Sequence, residues 1–191
     1  MNATELNDLY KTSCDLIMEY LHLEGAAQSN VNSDQGREAL KKGIEGLQTV
    51  LKHSPGSWNA GWMLGKAQQA LQQHEQAYQS FLTAHRNILT NQNVMRELAL
   101  ECLQTKRFSQ AVHYCHVAME FDPDDYSLWP NMAVAQLFNG NILEAEQWAN
   151  KALDKLPGDE PATTVLSIVG DIKAGKRTIP TDFTLLQRGE Q

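Results

Sequence analysis

The chain has 191 residues, 42% of them hydrophobic, which suits one sizeable core or a short array of stacked repeats and excludes wholesale disorder. Its net charge of −7 argues against nucleic acid and anionic membrane as partners, because an acidic chain repels phosphate. Three cysteines at irregular spacing, Cys14, Cys102 and Cys115, make neither a disulfide framework nor a paired zinc pattern and fit a reducing, cytoplasmic setting.

The N-terminal stretch predicts a helix over about residues 4–23, with Leu6, Leu9, Tyr10, Cys14, Ile17 and Leu21 on one face. The opening residues MNATELNDLYK carry neither a basic start nor the apolar core of an export signal, so Asn2-Ala3-Thr4 reads as a chance glycosylation triplet. No stretch approaches the roughly 20 apolar residues that span a bilayer. Residues 25–36, GAAQSNVNSDQG, are rich in turn formers and read as an insertion. A second helix is expected over 37–53, carrying Gly43, Leu47 and Val50 and followed by Pro55.

Beyond this point the chain repeats itself. Pro55, Pro123 and Pro157 are separated by two periods and one period of 34 residues, and Leu89 holds the slot between the first two. The same shift aligns Gly65, Ala99 and Ala133, each preceded by Leu64, Leu98 or Met132. Later columns hold Ala77, Ala111 and Ala145, then Phe81, Cys115 and Ala149, then Ala84, Ala118 and Ala152. Two antiparallel helices approach closely only where both carry small side chains, while larger apolar residues one turn away fill the flanking gaps. Proline after the second helix stops it and starts the turn into the next unit. One such hairpin cannot bury its own face, but stacked neighbours can.

These columns resemble the 34-residue tetratricopeptide repeat (TPR) over roughly residues 57–157. Trp129 and Gly140 match that family's tryptophan and turn-glycine positions; Gly61 and Met95 replace the tryptophan elsewhere, and Gln68, Cys102 and Gln136 replace its usual tyrosine. The resemblance implies an all-α fold, a right-handed superhelix of antiparallel helix pairs of the TPR-type α-solenoid. It divides the chain into residues 1–56, with the N-terminal helix, a loop and a degenerate first repeat; 57–157, with three repeats; a capping helix over 158–174, with Ser167 in the small column; and a tail over 175–191. Within that tail, Asp182–Leu186 is an apolar segment suited to folding back on the stack or docking on a second copy.

Motifs that suggest chemistry fail on spacing. Gly61 to Ala67 lacks the glycine spacing and the Ser or Thr of a phosphate loop. His113 and His116 share a helix face, but Cys115 belongs to the core column and points elsewhere, so no metal site is expected. Asp122-Pro-Asp124-Asp125 lacks the glycine and distal glutamate of a calcium loop, and Asp125 is better used to cap the next helix. No nucleophile or acid–base constellation emerges, so the sequence predicts no enzyme, no catalytic residue and no cofactor.

What the resemblance leaves is a groove, since in this family the first helices of successive repeats line a concave surface. Matched by position, Asn59, Trp62, Lys66 and Gln69 come from the first repeat, Asn93, Arg96 and Leu100 from the second, and Asn131, Val134 and Phe138 from the third. Asn and Arg suit an extended peptide's backbone or carboxylates, and Trp62, Leu100, Val134 and Phe138 suit apolar anchors. Leu103, Val165 and Ile168 lie in related positions and have a second reading as core. The pattern departs too far from a clamp for acidic chaperone tails, although Lys66 with Arg96 can meet one carboxylate. The resulting expectation is a cytoplasmic adaptor or chaperone-like module that binds a protein or peptide. Two alternatives are a chaperone similar in architecture to those of type III secretion translocators, and a self-assembling subunit such as a homodimer.

Overall fold

The computed structural model describes residues 1–21 and 30–181. Among these residues there are nine α-helices and no strand. They cluster into two compact units, Met1–Val94 and Met95–Gln191, with the boundary inside the fifth helix. Residues 25–29 of the expected insertion lie outside the described residues, as does the tail from 182 onward with its Asp182–Leu186 segment.

In the first unit, helix α1 spans Ala3–Ile17, α2 Asp34–His53, α3 Trp58–Ala70 and α4 His74–Asn87. Asn2 and Glu5 form a reciprocal capping box at the start of α1: the Asn2 side chain accepts from the Glu5 N–H at 2.9 Å, and Glu5 accepts from the Asn2 N–H at 2.9 Å. The triplet Asn2-Ala3-Thr4 is thus a helix start. The α-helix ends at Ile17, earlier than the predicted residue 23, and a 3₁₀ turn over Met18–Tyr20 follows. That turn buries Tyr20 and Leu21 beside the α1 face of Cys14 and Ile17. Helix α2 begins three residues before its predicted start, because Ser33 accepts from the Gly36 N–H at 3.0 Å and caps it. Gly43 lets α1 and α2 close up: a Cβ there would overlap the Ile17 side chain.

The second unit holds most of α5 (Gln92–Gln104), with α6 over Phe108–Phe121, α7 over Trp129–Phe138, α8 over Ile142–Lys155 and α9 over Glu160–Lys173. A 3₁₀ turn, Tyr126–Leu128, leads into α7, and Asp125 caps that turn by accepting from the Ser127 N–H at 3.2 Å. The aspartate therefore caps the turn ahead of the helix and not the helix itself. Helices α2, α4, α6 and α8 all end two residues before Pro55, Leu89, Pro123 and Pro157, as the period predicts. The alanine columns at 77, 111 and 145, at 84, 118 and 152, and at 99 and 133 are fully buried. Ser167 departs from its column: it is exposed, while α9 buries Ala162, Val165, Ile168 and Val169. The small column serves a following hairpin, and among the described residues no helix follows α9.

The turns inside the hairpins share one backbone solution. Gln72, Lys106 and Gly140, spaced by the repeat period, all take positive φ, at 58°, 60° and 88°. After each of them an N–H bonds back into the helix, from Gln73 to the Gln68 carbonyl at 2.9 Å, from Arg107 to Cys102 at 2.7 Å and from Asn141 to Gln136 at 2.9 Å. This left-handed cap satisfies carbonyls that the helix end leaves orphaned.

Candidate functional site

The predicted groove residues of the first unit sit on α3. Asn59 is half-buried at its first turn, where its Oδ1 accepts from the Ser57 hydroxyl at 2.7 Å and from the Ala60 N–H at 3.0 Å. Its side chain also bonds Tyr10 of α1, whose hydroxyl is pushed up to about 12 by burial and the neighbouring Cys14 thiol. Trp62, one turn on, packs half-buried against the core of this unit. Its indole Nε1 is buried and finds no hydrogen-bond partner among the described residues. Lys66 is buried at 5% exposure, and Gln69 is half-buried. Asn59, Trp62, Lys66 and Gln69 thus form one row, because steps of three and four residues keep a helix face.

Gly61 and Gly65 lie on an adjacent face of α3, where α4 approaches. A Cβ at Gly65 would lie 2.6 Å from the buried Phe81 ring, and one at Gly61 would lie 3.3 Å from Ala84. These glycines are packing positions. The Gly61–Ala67 stretch is plain helix, unlike a phosphate-cradling loop.

The second unit carries the rest. Asn93, at the unit boundary, is exposed, and Arg96, Leu100 and Asn131 are half-buried. Arg96 is held from within the unit: its guanidinium lies 3.6 Å from the Asp125 carboxylate and donates to the Ser127 hydroxyl at 2.8 Å. It thereby fastens α5 to the turn that leads into α7. Val134 and Phe138 are buried at 4% and 7% exposure, and Phe138 stacks on Phe108 with ring centroids 5.0 Å apart. Leu103, Val165 and Ile168 are core residues. Of the predicted residues on this unit, Leu100 and Asn131 keep partly exposed side chains, as does Arg96 beside its partners.

Sequence reasoning missed several residues of this neighbourhood. Gln68 and Gln136, in the family's tyrosine column, each lock a hairpin from inside: Gln68 accepts from the Ser80 hydroxyl at 2.6 Å, and Gln136 accepts from the Asn141 amide at 2.7 Å. Their shared column was the available signal. Cys102, in the same column, instead meets Cys115 in the core of the second unit. Burial drives both thiols up to about 12; Arg107 eases the shift at Cys102, and the Cys102 thiol adds to that at Cys115. Both are free and buried, as is Cys14. Glu101 is fully buried on α5, and nothing in its spacing announced that.

Other candidate chemistry separates in space. His113 and His116 are exposed on α6 while Cys115 points into the core, so these three do not converge on one point. Among the described residues no group of three or more His, Cys, Asp or Glu side chains could hold a metal ion. No described helix is long and apolar enough to cross a membrane. Two open depressions in the first unit, of about 550 and 320 Å³, are lined by residues such as Arg37 and Lys41 or Glu19 and Lys42, and by none of the predicted groove residues.

No family model matches the chain, and no curated protein matches it in sequence. Solved structures match its fold. A crystal structure of MamA protein is similar with a TM-score of 0.71 at 13% identity, over 89% of this chain and 85% of that one. YrrB, described as a TPR protein with an unusual peptide-binding site, gives 0.65 at 15% identity over 78% and 77%. A tetratricopeptide repeat protein from Parabacteroides merdae gives 0.69 at 14% identity, over 91% of this chain and 62% of that one. These likenesses agree with the buried alanine columns, the left-handed turn caps and the 34-residue spacing of the helix ends. The chain has the all-α tetratricopeptide-repeat fold, built from antiparallel helix pairs.

Proposed function

We propose that the protein is a non-enzymatic interaction module, adaptor-like or chaperone-like, that holds a polypeptide segment against the first helices of its repeats in the cytoplasm. The fold supports a protein-binding role, since one protein that shares it, YrrB, is described as having a peptide-binding site. The observation that carries the reading is the Trp62 indole. The ring rests on the core of the first unit and keeps part of its surface at the solvent boundary, on the row that also carries Asn59 and Gln69. Trp62 also offers a large half-buried ring of the kind that anchors interfaces. Asn59 and Gln69 flank it with amide groups on the same helix face.

The test is affinity capture with the full chain and with Trp62→Ala, followed by titration of a peptide from the captured partner. The wild type should bind that peptide roughly tenfold more tightly than the alanine variant, as expected for an aromatic anchor. Trp62→Phe keeps most of the ring area, so its loss should be smaller than that of the alanine variant. Identical partners in both lanes, or equal peptide affinity, would defeat the assignment. A mass that grows with concentration in light scattering would favour self-assembly instead.

A further inference from the structure

The side of the second unit formed by α6, α8 and the turn before α7 carries an aromatic ladder that neither the core nor the first-helix row absorbs. His116 meets Trp148 edge-on with ring centroids 6.5 Å apart. Trp148 lies 6.4 Å from Trp129, and Trp129 lies 6.3 Å from Tyr126 in an edge-to-face arrangement. Tyr126 is 46% exposed, and Phe121, at the end of α6 across the same short link, is 43% exposed. Two exposed aromatic rings at either end of one short link, beside the half-buried Trp129, offer surface that a partner can cover.

Two observations say what kind of partner fits. Trp148 already takes a cation on its face, since the Lys151 Nζ lies 4.3 Å from the ring centroid. The link between Phe121 and Tyr126 carries the exposed carboxylates of Asp122 and Asp124, and residues 121–159 as a whole have a net charge of −5. We infer that Phe121, Tyr126 and Trp129, edged by Asp122 and Asp124, form a docking surface for an arginine-bearing segment of a partner protein. The guanidinium plane stacks on the Tyr126 face, and its fork of N–H donors pairs with the aspartates. Lysine lacks that planar fork and binds less well. This surface lies on different helices from the α3 row and does not depend on it.

The test is calorimetric titration of the full chain with a blocked peptide of alternating arginine and glycine, beside the same peptide carrying citrulline, which is isosteric and uncharged. The arginine peptide should bind, and the citrulline peptide at least about tenfold more weakly. The Asp122→Asn, Asp124→Asn pair, both at exposed positions that leave the core untouched, should weaken arginine binding about fivefold. Tyr126→Leu, which keeps apolar area and removes the ring face, should cost roughly two- to fivefold. Trp62→Ala should leave this affinity unchanged, and so should the charge-matched Asp8→Asn, Asp15→Asn pair. Absence of binding, equal affinity for the two peptides, or equal weakening by the charge-matched pair would overturn the inference.

Discussion

A methyl group at position 65 has nowhere to go. The ideal Cβ lies 2.6 to 2.8 Å from three atoms of the Phe81 ring, and that ring is itself fully buried. Gly65→Ala gains about 1 kcal/mol of helix propensity but incurs an overpacking cost of about 1–3 kcal/mol against a ring that cannot yield. The variant should be less stable by up to about 2 kcal/mol in a denaturant titration; a gain in stability would show that α3 and α4 can part without penalty. Position 65 was legible as a small column from the repeat alone. The reason it is glycine and not the alanine of positions 99 and 133 was not, because that depends on Phe81 standing where Cys115 and Ala149 stand in the other repeats.

Among the elements, the turns and helix ends obey the repeat more faithfully than the residues in them suggest. Lys106 adopts φ of 60° where the third repeat has Gly140 at 88°. A side chain in the left-handed region costs about 1–2 kcal/mol, and glycine's looser unfolded state gives back part of that. Lys106→Gly should therefore raise stability by about 0.5–1 kcal/mol, read as a shift of the denaturation midpoint without a change in slope. Leu89 fills a proline slot while 66% exposed, and Ile88 before it already has the extended backbone a proline requires, at φ −145° and ψ 94°. Leu89→Pro should stabilise by about 0.5 kcal/mol by restricting the unfolded chain. A loss in either variant would mean that the replaced side chain holds its turn. The spacing was readable without glycine or proline in every slot, because helix ends follow the packed columns. The end of α1 follows a related logic: apolar Leu21 continues the buried face beyond Ile17, but a 3₁₀ turn delivers it.

For the molecule as a whole, the thiols set the response to alkali. Burial raises Cys102 and Cys115 from about 9 to about 12, and Cys14 and Tyr10 are raised too, each with burial as the first cause. Below about pH 9 the thiols are protonated in folded and unfolded chains alike, so their contribution is fully present. Above that the unfolded chain ionises first, and stability falls until the folded thiols also titrate. The melting temperature should thus decline steeply between about pH 9 and about pH 12, and Cys115→Ala should flatten part of that decline relative to its own value at about pH 8. An unchanged slope in that variant would remove the thiol from the account.

The order of these helices, the ends of α2, α4, α6 and α8 and the alanine columns of the three repeats follow from the sequence alone. A period of 34 residues with small side chains in fixed slots admits few ways to cover its apolar faces. The use of each polar side chain was decided only in three dimensions. Arg96 had the position of a guest-binding residue and is engaged with Asp125 and Ser127, while Val134 and Phe138 had the position of anchors and are buried. Spacing along a helix determines which face a residue occupies. Whether that face meets solvent, a neighbouring turn or another ring depends on contacts from distant parts of the chain, and period alone does not encode them.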